Sequence, residues 1–206
     1  MSFVAPPPFA AFEHRDAAVG FEVVFFRPTS DGLVVDGHTT ALEEGEPYAV
    51  SYTVELDARG HTRRARVRGH SSRGQHETEL DADGEGRWTI DGAPAPELTG
   101  CLDVDLEPSS LTNAFPVRRL GLQVGQRSLA PAAYVRALDL RVERLEQSYR
   151  RLDDAADGRV RFDYACPRFD TRCVLEYDRS GIVLAYPGVA VRRRSGGRPP
   201  GRSMPG

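Results

Sequence analysis

The chain has 206 residues, a formal net charge of −3, 40% hydrophobic residues and 28% charged residues. A chain of this length buries a sizeable core without a disulfide or metal staple, and no apolar run approaches the ~18 residues of a membrane-spanning helix. Membrane-helical, collagen-like, disulfide-scaffold and wholly disordered classes are thereby excluded.

The charge is uneven. Residues 192–206 hold Arg192, Arg193, Arg194, Arg198 and Arg202 and no acid, and removing those five positive charges from −3 leaves the rest at −8. An acidic body argues against a nucleic-acid-binding domain. The composition predicts three stretches: a flexible lead over 1–11 with three consecutive prolines (Pro6, Pro7, Pro8), one β domain over 12–192, and a disordered Arg/Gly/Pro tail over 193–206. All basic residues other than histidine are arginine. The cysteines Cys101, Cys166 and Cys173 are odd in number and form no C-x-x-C, which predicts reduced thiols serving as small core residues. The first residues lack a basic start and a long apolar stretch, so no secretory signal is expected and the expected location is cytoplasmic.

Short β-like runs recur along the chain. GFEVVFF (20–26) and GLVVDGHTT (32–40) flank the turn Ser30-Asp31-Gly32 and read as a hairpin. YAVSYTVELD (48–57) alternates polar and apolar and turns at Asp57-Ala58-Arg59-Gly60 into HTRRARVRG (61–69). There Ala65 and Val67 alternate with arginines, which predicts one wet face. QHETELD (75–81) meets GRWTIDG (86–92), and APAPE (93–97) links to CLDVDLE (101–107). VRRLGLQVG (117–125) and AAYVRALDLRV (132–142) read as further strands, followed by RVRFDYAC (159–166), TRCVLEYD (171–178) and GIVLAYPG (181–188). One segment, RVERLEQSYRRLDD (141–154), reads as a helix, with Leu145, Tyr149 and Leu152 at spacings of four and three. The fold class expected is all-β and mainly antiparallel: a strongly curved sheet, half-barrel or barrel, with one short helix around 141–154. An echo between Tyr52…Asp57…Thr62-Arg63 and Tyr164…Asp170…Thr171-Arg172 leaves a duplicated half-barrel open beside chance similarity.

GHSSRG (69–74) is one residue too long for a Gly-x-Ser-x-Gly elbow, and its β-like flanks favour a hairpin loop over catalysis by Ser71 or Ser72. His70, His76 and Glu77 lack a second cluster, so no metal site and no cofactor is expected. Asp103 and Asp105 stand two apart on a strand and so share a face. Arg118 and Arg119 follow, and a bidentate Arg–Asp ion pair is favoured over acid–base work. The aromatics Phe21, Phe25, Tyr52, Trp88, Phe115, Tyr134, Phe162, Tyr164 and Tyr186 are spread over many strands. A curved sheet gathers several of them inside, as core or as the wall of a greasy pocket.

WTIDG (88–92) followed by LTGCLDVDLEPSSLTNAFPVRRL (98–120), with GIVLAYPGVAVR (181–192) at the end, resembles a bacterial family of glycolipid-binding proteins over about residues 12–192. The resemblance implies an antiparallel fold similar to the half-barrels of the LolA and LolB lipoprotein carriers. Tryptophans expected of that family near Phe12 and His61 are missing, leaving Trp88 as the one indole. The resemblance implies a non-enzymatic protein that holds an acyl chain in an apolar groove of the curved sheet. Tyr52, Trp88, Asp103, Asp105, Asn113, Arg118 and Arg119 are then the candidate head-group residues, with Tyr52 and Trp88 as ring platforms. The partner expected is a lipid or glycolipid, with no nucleic acid. Two other readings stand beside it: an enzyme using Asp103 or Asp105 on a lipid or sugar-like molecule, and a structural protein with a fully packed barrel.

Overall fold

The computed structural model describes residues 3–16 and 18–193. Strands β1 (Phe9–His14), β2 (Ala18–Pro28), β3 (Gly32–Glu43), β4 (Glu46–Asp57), β5 (Thr62–Ser71), β6 (Gly74–Ala82), β7 (Trp88–Ile90) and β8 (Ala93–Pro94) form an antiparallel meander. An inner segment follows, with β9 (Asp103–Leu106), helix α1 (Ala114–Leu120), β10 (Arg127–Leu129), β11 (Ala132–Val135) and β12 (Val142–Leu145). A second meander closes the chain with β13 (Ser148–Arg151), β14 (Val160–Cys166), β15 (Thr171–Tyr177), β16 (Val183–Tyr186) and β17 (Ala190–Arg192). β17 pairs with β1, with Phe12 opposite Arg192. This joins the two meanders into one 14-stranded sheet running from β10 to β8, while β12, β11 and β9 form a separate three-stranded sheet. The large sheet is curved and open, with its end strands unpaired with each other.

Alternation decides the faces. In β4, Tyr48, Val50, Tyr52, Val54 and Leu56 are buried and their neighbours are not. In β5, Arg64, Arg66 and Arg68 take the wet face, and each meets the acid directly across from it on β6. Arg64 reaches Asp81 at 2.6 Å, Arg66 reaches Glu79 at 2.6 Å and Arg68 reaches Glu77 at 2.9 Å. Such exposed pairs each contribute under about 1 kcal/mol, so the inward residues carry the strand.

The inward face is filled by the chain's own inner segment. Leu98, Cys101, Val104, Leu106, Leu111, Ala114, Phe115 and Val117 are all buried and belong to one core with both meanders. Hydrogen bonds tie this plug to the walls. Trp88 Nε1 donates to Cys101 O at 2.9 Å, Val104 N donates to Thr62 Oγ1 at 3.0 Å, and Tyr177 OH donates to Asn113 O at 3.2 Å. An apolar groove along the curved sheet, as expected for an acyl chain, is therefore occupied by residues 98–117.

Two expectations are corrected. Residues 141–154 hold β12 and β13, not a helix. Leu145, Gln147, Tyr149 and Arg151 are buried at spacing two, but polar Gln147 and Arg151 on the inward face hid the alternation. Among the described residues the one α-helix is α1 at Ala114–Leu120, overlapping the run expected as a strand from Val117. It ends at Gly121, whose φ of +55° is the left-handed conformation of a helix stop. The lead also carries contacts: β1 begins at Phe9, and Val4 N donates to Arg179 O at 3.1 Å. Of the expected tail, Arg193 pairs with Glu13 at 3.0 Å, and residues 194–206 lie outside the described residues. Both hairpins of the internal echo exist, β4–β5 and β14–β15, with Tyr52 and Tyr164 buried. Cys101 and Cys166 are buried free thiols, and Cys173 is half-buried and free.

Candidate functional site

A cavity of about 320 Å³ lies where β1–β4 and β14–β16 face each other over the inner segment. β1 contributes His14, the next inward position after Ala10 and Phe12. The β3–β4 hairpin adds Glu43 and Tyr48, and β9 with its following loop adds Asp105, Glu107, Ser109, Ser110 and Asn113. Aromatic walls come from Tyr134, Tyr164, Tyr186 and Phe169. Tyr134 and Phe169 stack tilted at 5.7 Å between centroids, and Tyr164 and Tyr186 meet edge-on at 5.9 Å.

Two of the lining residues each carry a buried side-chain atom with no hydrogen-bond partner among the described residues: His14 Nε2 and Ser110 Oγ. His14 is 8% exposed and Ser110 2%. Burial holds the His14 imidazole below its usual value, so it is neutral at pH 7. Leaving a buried polar group unsatisfied costs about 1–3 kcal/mol, which is why such atoms are rare and informative.

The carboxylates divide by role. Asp103 is wholly buried and paired bidentately with Arg119, at 3.0 Å from Nε and 2.6 Å from Nη2. Asp105 lines the cavity and accepts from Thr112 Oγ1 at 2.7 Å. Burial, with the nearby Asp103 and Glu107 charges adding to it, pushes its carboxyl up to about 6. Glu107 accepts from Tyr134 OH at 2.7 Å and lies 3.3 Å from Arg136. Burial and the neighbouring Glu107 and Glu44 charges raise Glu43.

Behind the wall sits Glu22, wholly buried and without an ion pair among the described residues. It accepts from Tyr52 OH at 2.6 Å, Ser109 Oγ at 2.5 Å and Ser110 N at 3.0 Å. Burial pushes it up to about 7 against those bonds. Tyr52 reaches it across β3 because Gly37 is opposite; a Cβ there would stand 2.0 Å from the Tyr52 ring. Glu22 thus fixes the 109–110 corner that forms the cavity wall.

Of the residues named from the sequence, Asp105 and Asn113 line the cavity. Asn113 Oδ1 accepts from Tyr149 OH at 2.8 Å. Tyr52 stands one contact behind, through Ser109. Trp88 is 4% exposed with its indole N–H on Cys101 O, so neither it nor Tyr52 offers a ring face. Asp103 and Arg119 form the structural pair. Arg118 donates to Ser180 O and borders, with Arg119, a separate open depression. Sequence reasoning missed His14, Glu22, Tyr48, Ser109 and Ser110. The signal for two of them was phase: Glu22 shares the face of Val24 and Phe26, and His14 that of Ala10 and Phe12.

The other candidates resolve structurally. Ser71 closes the β5–β6 hairpin and donates to Leu138 O at 2.6 Å, and Ser72 donates to Glu46. Among the described residues no group of three or more His, Cys, Asp or Glu converges as metal ligands, and no helix is long and apolar enough to cross a membrane. A larger depression of about 670 Å³ is lined by Arg159, Arg179, Arg192 and Arg193, but three of these arginines are paired with acids.

Two solved structures resemble the chain. A DUF1089 family protein from Pseudomonas aeruginosa is 34% identical, covers 88% of this chain and 95% of its own, and superposes with a TM-score of 0.74. A β-barrel-like protein of domain of unknown function DUF1849 from Brucella abortus, 11% identical, covers 93% of this chain and 96% of its own with a TM-score of 0.53, which supports the fold alone. No curated protein matches the chain. The model of the family described as "Putative glycolipid-binding" matches residues 12–192, and the chain belongs to that family.

Proposed function

We propose that this protein binds an amphiphile through a polyhydroxylated head group seated in the tyrosine–carboxylate cavity. The observation that carries the reading is that His14 and Ser110, which line a space of about 320 Å³, each hold a buried polar atom, Nε2 and Oγ, without a hydrogen-bond partner among the described residues. That volume is at the lower end of ligand pockets, about 300–1,000 Å³, and suits a sugar ring better than a long chain. A hydroxyl group both donates and accepts, so it satisfies a neutral imidazole and a serine alike. Tyrosine rings cover the C–H faces of such a ring while carboxylates accept from its hydroxyls. The family description agrees with a sugar-bearing lipid.

The acyl part then lies outside the filled interior. Tyr48 belongs both to the cavity and to an outer apolar depression formed by Val19, Phe21, Leu42 and Pro47. Val19 is 79% exposed, Leu42 50% and Phe21 43%. Ala18, Glu43 and Tyr48 face the cavity while their neighbours Val19, Leu42 and Pro47 face the depression, so the chain passes over one rim.

Native mass spectrometry of the full chain with monoglucosyl-diacylglycerol tests this. A one-to-one complex that is weakened in both His14→Ala and Ser110→Ala, each folded by circular dichroism, is expected. A complex equally strong in both variants contradicts the assignment. The second reading, acid–base catalysis by Asp105, is favoured by its carboxyl standing at about 6 inside a cavity. Release of nitrophenol from aryl glycosides, lost in Asp105→Asn, is the result that would select it.

A further inference from the structure

The charge of the head group follows from the same cavity, and this inference rests on the reading just given. The basic side chains other than histidine number 27, all arginine. Four of them lie on β5, and others border the depressions at Arg118–Arg119 and Arg192–Arg193. Among the described residues no arginine lines the tyrosine cavity. Three carboxylates do: Glu43, Asp105 and Glu107. Arg136 neutralises Glu107 from 3.3 Å, whereas the charges bearing most strongly on Asp105 are the acids Asp103 and Glu107.

An acidic wall alone marks no site. The second observation is that His14 and Ser110, which line the same cavity, each carry a buried atom without a hydrogen-bond partner among the described residues, Nε2 and Oγ. Neither carries a charge: the imidazole is held neutral by burial, and the serine is a hydroxyl. Together they ask for a partner with hydroxyl groups, and the carboxylates ask for donors.

We infer that the cavity selects a non-anionic, hydroxyl-rich head group, an uncharged hexose being the simplest, and excludes phosphate, sulfate and carboxylate head groups. An anion placed there meets like charge in a low-dielectric space, with no guanidinium lining the wall to receive it. Its desolvation is then uncompensated. A hexose loses nothing of the kind, because each hydroxyl donates to a carboxylate or pairs with His14 or Ser110.

The test uses two lipids with the same diacylglycerol, one carrying glucose and the other glucuronate. They differ by one carboxylate on the ring. Titration calorimetry with the full chain at pH 7.5 is expected to give about tenfold tighter binding of the glucosyl lipid, or more. Equal or tighter binding of the glucuronosyl lipid overturns this inference and leaves head-group binding standing. Binding of neither lipid overturns the head-group reading and this inference with it. Asp105→Asn keeps an acceptor for Thr112, and Glu43→Gln changes only the rim. Each is expected to narrow the ratio between the two lipids, and a ratio unchanged in both variants overturns the electrostatic origin of the selection.

Discussion

Asp103 and Asp105 stand two residues apart on β9, both buried, and keep opposite company. Asp103 has a guanidinium: Arg119 holds both its oxygens and so bolts α1 to β9. Asp105 has a hydroxyl from Thr112 and a cavity. Burial pushes both carboxyls up, but for Asp103 the Arg119 charge opposes it, while for Asp105 the neighbouring charges are acidic. One short strand thus carries a structural ion pair and a carboxylate that lines a cavity. The difference lies in what neutralises each charge, which the Asp-Val-Asp motif alone does not encode.

Removing the bolt has the largest expected effect. Arg119→Leu leaves Asp103 buried and unpaired, and a loss of about 3–5 kcal/mol is expected in urea unfolding. Adding Asp103→Leu is expected to restore most of that loss, since the cost is the stranded charge. An Arg119→Leu variant as stable as wild type would break the comparison.

Next comes the proton bookkeeping of the buried acids. Glu22 stands at about 7 in the folded chain against 4.5 ordinarily. The folded state therefore holds the proton more tightly, so its contribution is complete below the ordinary value and fades as pH rises through 7. The loss amounts to about 3 kcal/mol by pH 8. Asp105 adds a similar decline between 3.8 and about 6. Glu22→Gln is expected to flatten stability between pH 5 and 8, and Asp105→Asn to flatten only its lower part. Unfolding midpoints measured at pH 4, 6 and 8 check both, and an unchanged slope in Glu22→Gln contradicts the account.

Gly37→Ala is smaller. The added methyl pushes the Tyr52 ring off Glu22, and overpacking of this kind costs about 1–3 kcal/mol, seen as a lower melting temperature. Smallest in stability is Phe21→Ser, an outer-face change expected to stay within about 0.5 kcal/mol. It separates the two parts of the ligand: retention of the acylated lipid falls while binding of the deacylated sugar does not.

The hairpins were legible because their inward and outward residues alternate cleanly, as in YAVSYTVELD and TRCVLEYD. The family was legible in the long run from Leu98 to Leu120. The inner segment was not, for it buries Ser109, Ser110, Thr112 and Asn113, polar residues that read as an exposed loop. Their partners Glu22, Tyr52 and Tyr149 come from distant strands, while Asp105 comes from β9 of the same segment. The expected helix failed for the same reason: Gln147 and Arg151 occupy core positions. Tyr134, Tyr164 and Tyr186 were visible as an aromatic inventory, but the pairing of β17 with β1 is what brings the strands of Tyr164 and Tyr186 to His14 and Tyr48, and Tyr134 arrives on β11 of the separate sheet.

The most direct measurement is the side-chain nitrogen resonance of His14 in protein labelled with ¹⁵N-histidine, assigned with His14→Gln and followed during titration with octyl glucoside. The account predicts that the Nε2 signal shifts saturably as the sugar supplies its missing partner. A His14 signal that stays fixed while resonances elsewhere respond would place the ligand outside the cavity and contradict it.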